Sequence, residues 1–208
     1  MIDVVTWENA GAFGHALASH HKLRYRVFVE GQGWDVPNYH GMEYDQFDTP
    51  AAAYLLWRDH DGEVRGVTRL IPTERPYMIK ELWPHFVEGH DLPASAKVWE
   101  ATRFGIDDRL DHATRRRISA ELVLACQEFG LAHGVDQFLV MMPVLIIRKV
   151  IGGAGCPYEW LGSPHQVGRH RVAAASVDVS SAILSEARMR LGVTYPVLSN
   201  GERNKEAA

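Results

Sequence analysis

Two arginines sit where a chain of this kind tolerates a charge least. Arg69 interrupts the run Val67-Thr68-Arg69-Leu70-Ile71, and Arg103 interrupts Ala101-Thr102-Arg103-Phe104-Gly105-Ile106. Both runs read as strand interiors, where a lone cation is costly to bury. Each arginine therefore needs a carboxylate, from the chain itself or from a ligand. The densest supply is Glu43-Tyr44-Asp45-Gln46-Phe47-Asp48, with acids at i, i+2 and i+5. In an extended segment Glu43 and Asp45 share a face. Three carboxylates this close repel, so a metal, a cationic ligand or arginines would neutralise them; otherwise the segment is a solvated acidic loop. The EF-hand spacing with its closing Glu is missing, which argues against calcium. Glu100 is a third charge in a strand, and Glu100 and Thr102 alternate with Arg103. That pattern predicts a strand polar on both faces at its centre.

The periodicities around these residues predict a mixed α/β chain, with one central sheet and helices on its faces, as a single domain over 1–208. Helical spacing runs from Asn9 to Val29. A polar loop follows from Trp34 to Asp48, long enough to be functional. Ala52–Trp57 and Val64–Ile71 flank the turn Asp59-His60-Asp61-Gly62 as a hairpin. A proline-rich connection holds one short helix near Ile79–Trp83, and Val98–Ile106 is a further strand. Asp111 opens an amphipathic helix that Gly134 ends. Then come a buried strand at Gln137–Met142, a helix over 144–151, strands at Tyr158–Leu161 and Arg171–Val177, and a last helix from Ser180 to Leu191.

Several functional classes are excluded at this level. With 208 residues, 46% of them hydrophobic, the chain has enough apolar material for one core. A formal net charge of -4 and one short basic run, Arg115–Arg117, argue against a nucleic-acid partner. Two cysteines, Cys126 and Cys156, make neither a disulfide framework nor a metal site. The histidines, among them His20, His21, His40, His165 and His170, lack zinc-like spacing, so no metal is expected. No apolar stretch reaches the ~18–20 residues of a membrane span, and the first residues do not read as a signal peptide. The expectation is a soluble, cytoplasmic protein. A dinucleotide fingerprint and a phosphate loop are both missing.

The ordered set Leu23-Arg24-x-x-x-Phe28, Gly33-Trp34, Glu43-x-Asp45-x-x-Asp48, Arg69-Leu70-Ile71-Pro72 and Trp99-Glu100-x-x-Arg103-Phe104 resembles the acyl-homoserine-lactone synthases of the LuxI type, the autoinducer synthases of bacterial quorum sensing. Gly134, Gly155 and Leu161-Gly162-x-Pro164 extend the likeness over most of the chain. The resemblance implies a fold like that of GNAT-type N-acetyltransferases, with a V-shaped cleft in the sheet where the acyl carrier's arm enters. It implies two substrates, S-adenosylmethionine and an acyl thioester on CoA or on acyl-carrier protein, and no separate cofactor. It also implies a site made of Arg24, Phe28, Trp34, Glu43, Asp45, Asp48, Arg69, Glu100, Arg103 and Phe104.

The residue types fit that chemistry. The acids would cradle the sulfonium and ammonium of S-adenosylmethionine, and Arg103 or Arg69 would clamp its carboxylate. Trp34 and Phe28 would pack on the adenine or the sulfonium. Glu100 is the expected base for the amine, with Arg103 and Asp45 completing the catalytic set and backbone amides near Phe104-Gly105 holding the oxyanion. Met141, Met142 and Trp160 are the expected acyl pocket, and Arg148 and Lys149 the expected docking patch for the carrier. Family members that make 3-oxo signals carry a Ser or Thr near Met142. Leu139-Val140-Met141-Met142-Pro143-Val144 has no hydroxyl, which implies an acyl group without a 3-oxo substituent, and short, branched or aryl groups would fit. The GNAT pyrophosphate loop has no counterpart in Arg115-Arg116-Arg117-Ile118-Ser119-Ala120. An N-acetyltransferase for another amine, or a non-catalytic sensor on the same fold, would share much of this pattern.

Overall fold

In the computed structural model, which describes residues 1–199, the strands and helices follow one another around a single large sheet. In chain order they are Ile2–Val5 (β1), Gly14–Arg24 (α1), Asn38–Tyr39 (β2), Met42–Glu43 (β3), Ala53–Arg58 (β4), Val64–Pro72 (β5), Met78–Leu82 (α2), Val98–Ile106 (β6), His112–His133 (α3), Gln137–Pro143 (β7), Val144–Ile146 (α4), Tyr158–Trp160 (β8), His165–Val167 (β9), His170–Asp178 (β10) and Ser181–Leu191 (α5). Short 3₁₀ turns precede α1 and follow α2. α1 and α4 each run on into a wider π-helical segment, Tyr25–Gly31 and Ile147–Gly152.

The sheet order is β1-β4-β5-β6-β7-β10-β8, with β9 beside β10; β2 and β3 form a separate small hairpin. Neighbours pair antiparallel except β6 and β7. The parallel pair is short. It joins Val98–Ala101 to Gln137–Val140, after which β6 continues to Ile106 and β7 to Pro143 without each other. That divergence is the expected V-shaped cleft. One core lies on the face covered by α3 and α5, around Leu122, Phe129, Phe138 and Leu184; a second lies on the α1 and α2 face, around Leu23, Phe47, Leu56 and Ile79.

Local chemistry explains the ends of the long helix. Asp111 accepts hydrogen bonds from the amides of Ala113 (2.9 Å) and Thr114 (3.0 Å), which satisfies two of the open N–H groups of α3. Gly134 takes the left-handed conformation at φ 67° that stops it.

Four features depart from the sequence expectation, the first being that the expected loop Trp34–Asp48 contains the β2–β3 hairpin. β1 was not foreseen: it is four residues at the sheet edge, and its Asp3 breaks the apolar pattern while binding Arg58 Nε at 2.6 Å. β9 was not foreseen either, being three mostly exposed residues held by β10. The fourth is the polarity of β6. Val67 pairs with Gly105 and Arg69 with Thr102, so Thr68 alone faces Arg103 and Phe104. This is a β-bulge with its extra residue in β6, and Arg103 there has φ 54°. The bulge resets the alternation. Glu100, Thr102 and Arg103 fall on the α1–α2 face, while Ala101 and Phe104 fall on the α3 face. The strand centre is therefore polar on one face only.

Candidate active site

The three acids of the loop and three arginines from different elements form one buried network. α1 supplies Arg24, β5 supplies Arg69 and the β6 bulge supplies Arg103. Arg24 grips Asp48 with both terminal nitrogens (2.7 and 2.9 Å) and Glu43 with Nε. Arg69 reaches Asp45 (2.6 and 3.1 Å), Asp48 (2.8 Å) and the Thr102 hydroxyl (3.1 Å). Arg103 bridges Glu43 (3.0 Å) and Asp45 (2.6 Å). Tyr54 donates to Asp48 at 2.8 Å, and the Asp45 amide closes a turn onto Asp48. Three carboxylates meet three guanidiniums, so the network carries no net charge, and its geometry is bidentate where Arg24 meets Asp48.

Burial by itself would raise the acids. The arginines overturn that effect and hold the carboxyls of Asp45 and, more strongly, Asp48 below their ordinary range. Arg24 is raised in spite of its burial by the same two partners, Asp48 and Glu43.

This arrangement corrects several expectations. The segment is not a solvated loop, since Glu43 has no exposed surface. Its acids face the three arginines. Arg24 and Arg69 are fully buried and paired with these acids. Among the described residues, Arg103 Nη1 meets only the sulfur of Met78, at 3.4 Å. Met78 Sδ lies 3.2 Å from Arg69 Nη2 as well, a contact with no signal in the sequence.

Glu100 lies beside the network. Its two oxygens accept the backbone amides of Met78 (2.9 Å) and Ile79 (2.7 Å) at the start of α2. Burial pushes its carboxyl up to about 7, against the pull of those amides and of Arg69 and Arg103. Phe28 and Trp34 stack on each other with centroids 5.0 Å apart. Phe28 also packs under the Arg103 guanidinium and against Gly105, while Trp34 remains half-exposed.

The opposite face of β6 is different in kind. A cavity of about 50 Å³ lies between β6, β7 and α3, lined by Ala101, Phe104, Val140, Met142 and Val150 with few polar atoms. Phe104 belongs to this cavity, not to the charged network, which is a second consequence of the bulge. Met142 lines it. Met141 does not: adjacent strand residues point to opposite faces, and Met141 packs in the core under α1. Trp160 packs on the same core as the cavity and against Tyr158, without lining it. Gln127, Val123 and Thr68 line the cavity and went unnoticed in the sequence. Their helical and strand periodicity marks them only as core positions. Arg148 and Lys149 are exposed beside the exposed Leu145 and Ile146. Among the described residues, no cluster of three or more His, Cys, Asp or Glu is arranged to hold a metal, and no helix is long and apolar enough to cross a membrane.

Comparison with known proteins gives a consistent result. The family model described as autoinducer synthase matches residues 14–186. The chain is 32% identical over 174 residues to an acyl-homoserine-lactone synthase of Acinetobacter nosocomialis, an alignment covering 80% of this chain and 94% of that protein. It is 31% identical over 207 residues to the isovaleryl-homoserine lactone synthase of Bradyrhizobium diazoefficiens, covering 98% and 91%. The solved structure of BjaI, a CoA-dependent acyl-homoserine lactone synthase with SAM and isopentyl-CoA, superposes with a TM-score of 0.86 at 28% identity, covering 100% of this chain and 99% of that one.

Proposed function

The chain belongs to the autoinducer synthase family and is an acyl-homoserine-lactone synthase, and from that premise we propose how its residues divide the work. The single observation that carries the reading is the contrast across β6. The charged network lies on one face, the apolar cavity on the other, and the diverging ends of β6 and β7 open between them. S-adenosylmethionine, as a substrate, lies on the charged side. Arg103 Nη1 turns from Met78 to its carboxylate, and Trp34, backed by Phe28, covers its adenosyl part. Arg24, Arg69, Glu43, Asp45 and Asp48 are positioning residues that fix Arg103. The acyl group fills the cavity with its thioester at the cleft.

The first step is acyl transfer. Glu100, with a carboxyl poised near neutral pH, takes a proton from the substrate ammonium directly or through a water. The freed amine attacks the thioester carbonyl; a C–N bond forms, the C–S bond breaks and the thiol leaves. Backbone amides near Phe104-Gly105, on the edge of β6 beyond its last β7 partner, receive the oxyanion. In the second step the methionyl carboxylate attacks its own γ-carbon. The sulfonium C–S bond breaks, methylthioadenosine leaves and the lactone closes. That step depends on alignment rather than on acid–base help. The balance of both steps needs no further cofactor.

We assign CoA as the donor, because relatives aligned over nearly the whole chain include a CoA-dependent synthase. Arg148 and Lys149 then meet the donor's phosphates. The acyl group is compact and lacks a 3-oxo substituent, since no hydroxyl stands on β7 beside the cavity. The working unit is the single domain 1–208, of which residues 200–208 lie outside the described part, and it acts in the cytoplasm, where both substrates are made. The test is thiol release from matched acyl groups on CoA and on acyl-carrier protein at fixed S-adenosylmethionine, with the lactone identified by mass spectrometry. Turnover of acyl-CoA with methylthioadenosine formation is the expected result. Turnover of the carrier-protein form alone reassigns the donor, and acetyl transfer to another amine without S-adenosylmethionine rejects the reading.

A further inference from the structure

One polar group in the apolar cavity has no use in the mechanism above. Gln127, on α3, is 2% exposed and lines the cavity. Its Nε2 donates to the Asp178 carbonyl at 2.9 Å, which fixes which end of the amide is the oxygen. Its Oε1 is buried and has no hydrogen-bond partner among the described residues. Such an acceptor is expensive to leave unpaired; Val123, Phe138, Val140 and Val177 in the lining cannot donate, and the free thiols of Cys126 and Cys156, also in the lining, make no hydrogen bond to it. A second acceptor shares the cavity: the Thr68 hydroxyl spends its proton on the Thr102 carbonyl at 3.3 Å, so its oxygen is left to accept.

The position of Gln127 decides which part of an acyl group meets it. Its partner Asp178 pairs with Gln137, and Gln137 pairs with Val98. Those residues lie where β6 and β7 are still joined, the closed end of the V. Phe104 and Met142 lie beyond the last pair, Ala101 with Val140, at the open end. An acyl group reacting at the cleft therefore points its far end at Gln127.

We propose that Gln127 Oε1 selects acyl groups that carry a hydrogen-bond donor, such as a hydroxyl, at the end remote from the thioester. The inference rests on the acyl-homoserine-lactone synthase reading and names its substrate class. A pocket built to hydrogen-bond a substrate hydroxyl discriminates strongly against the analogue without it, whereas a plain apolar pocket does not favour the hydroxyl at all.

The experiment measures methylthioadenosine release with two matched pairs of CoA thioesters: hexanoyl with its ω-hydroxy analogue, and phenylpropanoyl with its para-hydroxy analogue. In at least one pair the hydroxylated member is expected to show a kcat/KM higher by about tenfold or more. Gln127→Leu is expected to reverse that order, and Gln127→Met serves as a second variant of closer shape should the first not fold. Preference for the plain member in both wild-type pairs, or an unchanged ratio in a folded variant, overturns the proposal and means that a buried water serves Oε1. If none of the four CoA thioesters releases methylthioadenosine while the same acyl groups on acyl-carrier protein do, the CoA assignment is overturned and the pairs are read on that carrier; silence on both carriers overturns the synthase reading instead, so the failures are distinguishable.

Discussion

The two faces of β6 are built on opposite terms. On the α1 side, each charge of the network has a partner of opposite sign within 3.1 Å. On the α3 side, the cavity is apolar and holds an amide oxygen with no hydrogen-bond partner among the described residues. The difference teaches which part of the site is general and which is particular. A fully paired network holds one geometry and has little room to vary, because removing one member strands the others. An apolar pocket tolerates change at a few kcal/mol per side chain, which is why the proposed function puts substrate choice there.

The sharpest way to break this contrast is to remove one arginine. Arg69→Met should leave Asp45 and Asp48 buried without their shared cation and lower stability by ~3–5 kcal/mol in denaturant unfolding. A loss below about 1 kcal/mol, the range of exposed pairs, would mean that the network is an ordinary surface ion pair and the faces are not so different.

Glu100 comes next. Glu100→Gln should lower kcat/KM by about 10²-fold while S-adenosylmethionine still binds. In the wild type, kcat/KM should rise as pH climbs through about 7, where burial places the carboxyl; in the variant that limb should vanish. Stability moves the other way. A carboxyl raised from 4.5 to about 7 contributes stability that is full below its ordinary value and lost as pH rises through 7. Asp45 and Asp48, depressed by arginines, contribute stability above their ordinary 3.8 that is lost as pH falls through and below it. Urea midpoints across this range, compared between wild type and Glu100→Gln, separate the two. An unchanged acid limb in the variant would remove Glu100 as the base.

Adjacent methionines sharpen the comparison within one strand. Met142→Ala should shift relative kcat/KM toward an acyl chain one or two methylenes longer by about tenfold, measured by competition between acyl-CoAs. Met141→Ala, on the other face, should leave that preference unchanged. Equal shifts from both would mean that the cavity crosses the sheet. The smallest effect belongs to the surface. Charge reversal at Arg148 and Lys149 should raise KM for acyl-CoA by about threefold at low salt, with kcat intact.

Much of this was legible along the chain. Hydrophobic period, turn residues and caps determine the central strands and the long helix, because those signals are local: β6 occupies Val98–Ile106, and Asp111 and Gly134 bound α3. The sequence also determined that Arg69 and Arg103 must meet carboxylates, since the cost of a buried charge does not depend on the fold. Only the tertiary structure decided which carboxylates those are. It decided that a bulge turns Arg103 to join Glu100 and sends Phe104 to the cavity, since one extra residue reverses the period of two on which any reading of strand faces relies. It decided that Met142 faces the cavity and Met141 does not. Finally, it placed Gln127 against Asp178, 51 residues away in the chain, with its oxygen unpaired. A helix pattern marks such a residue as inward-facing, but the neighbours that satisfy or strand a polar atom come from elsewhere in the chain, and only folding brings them together.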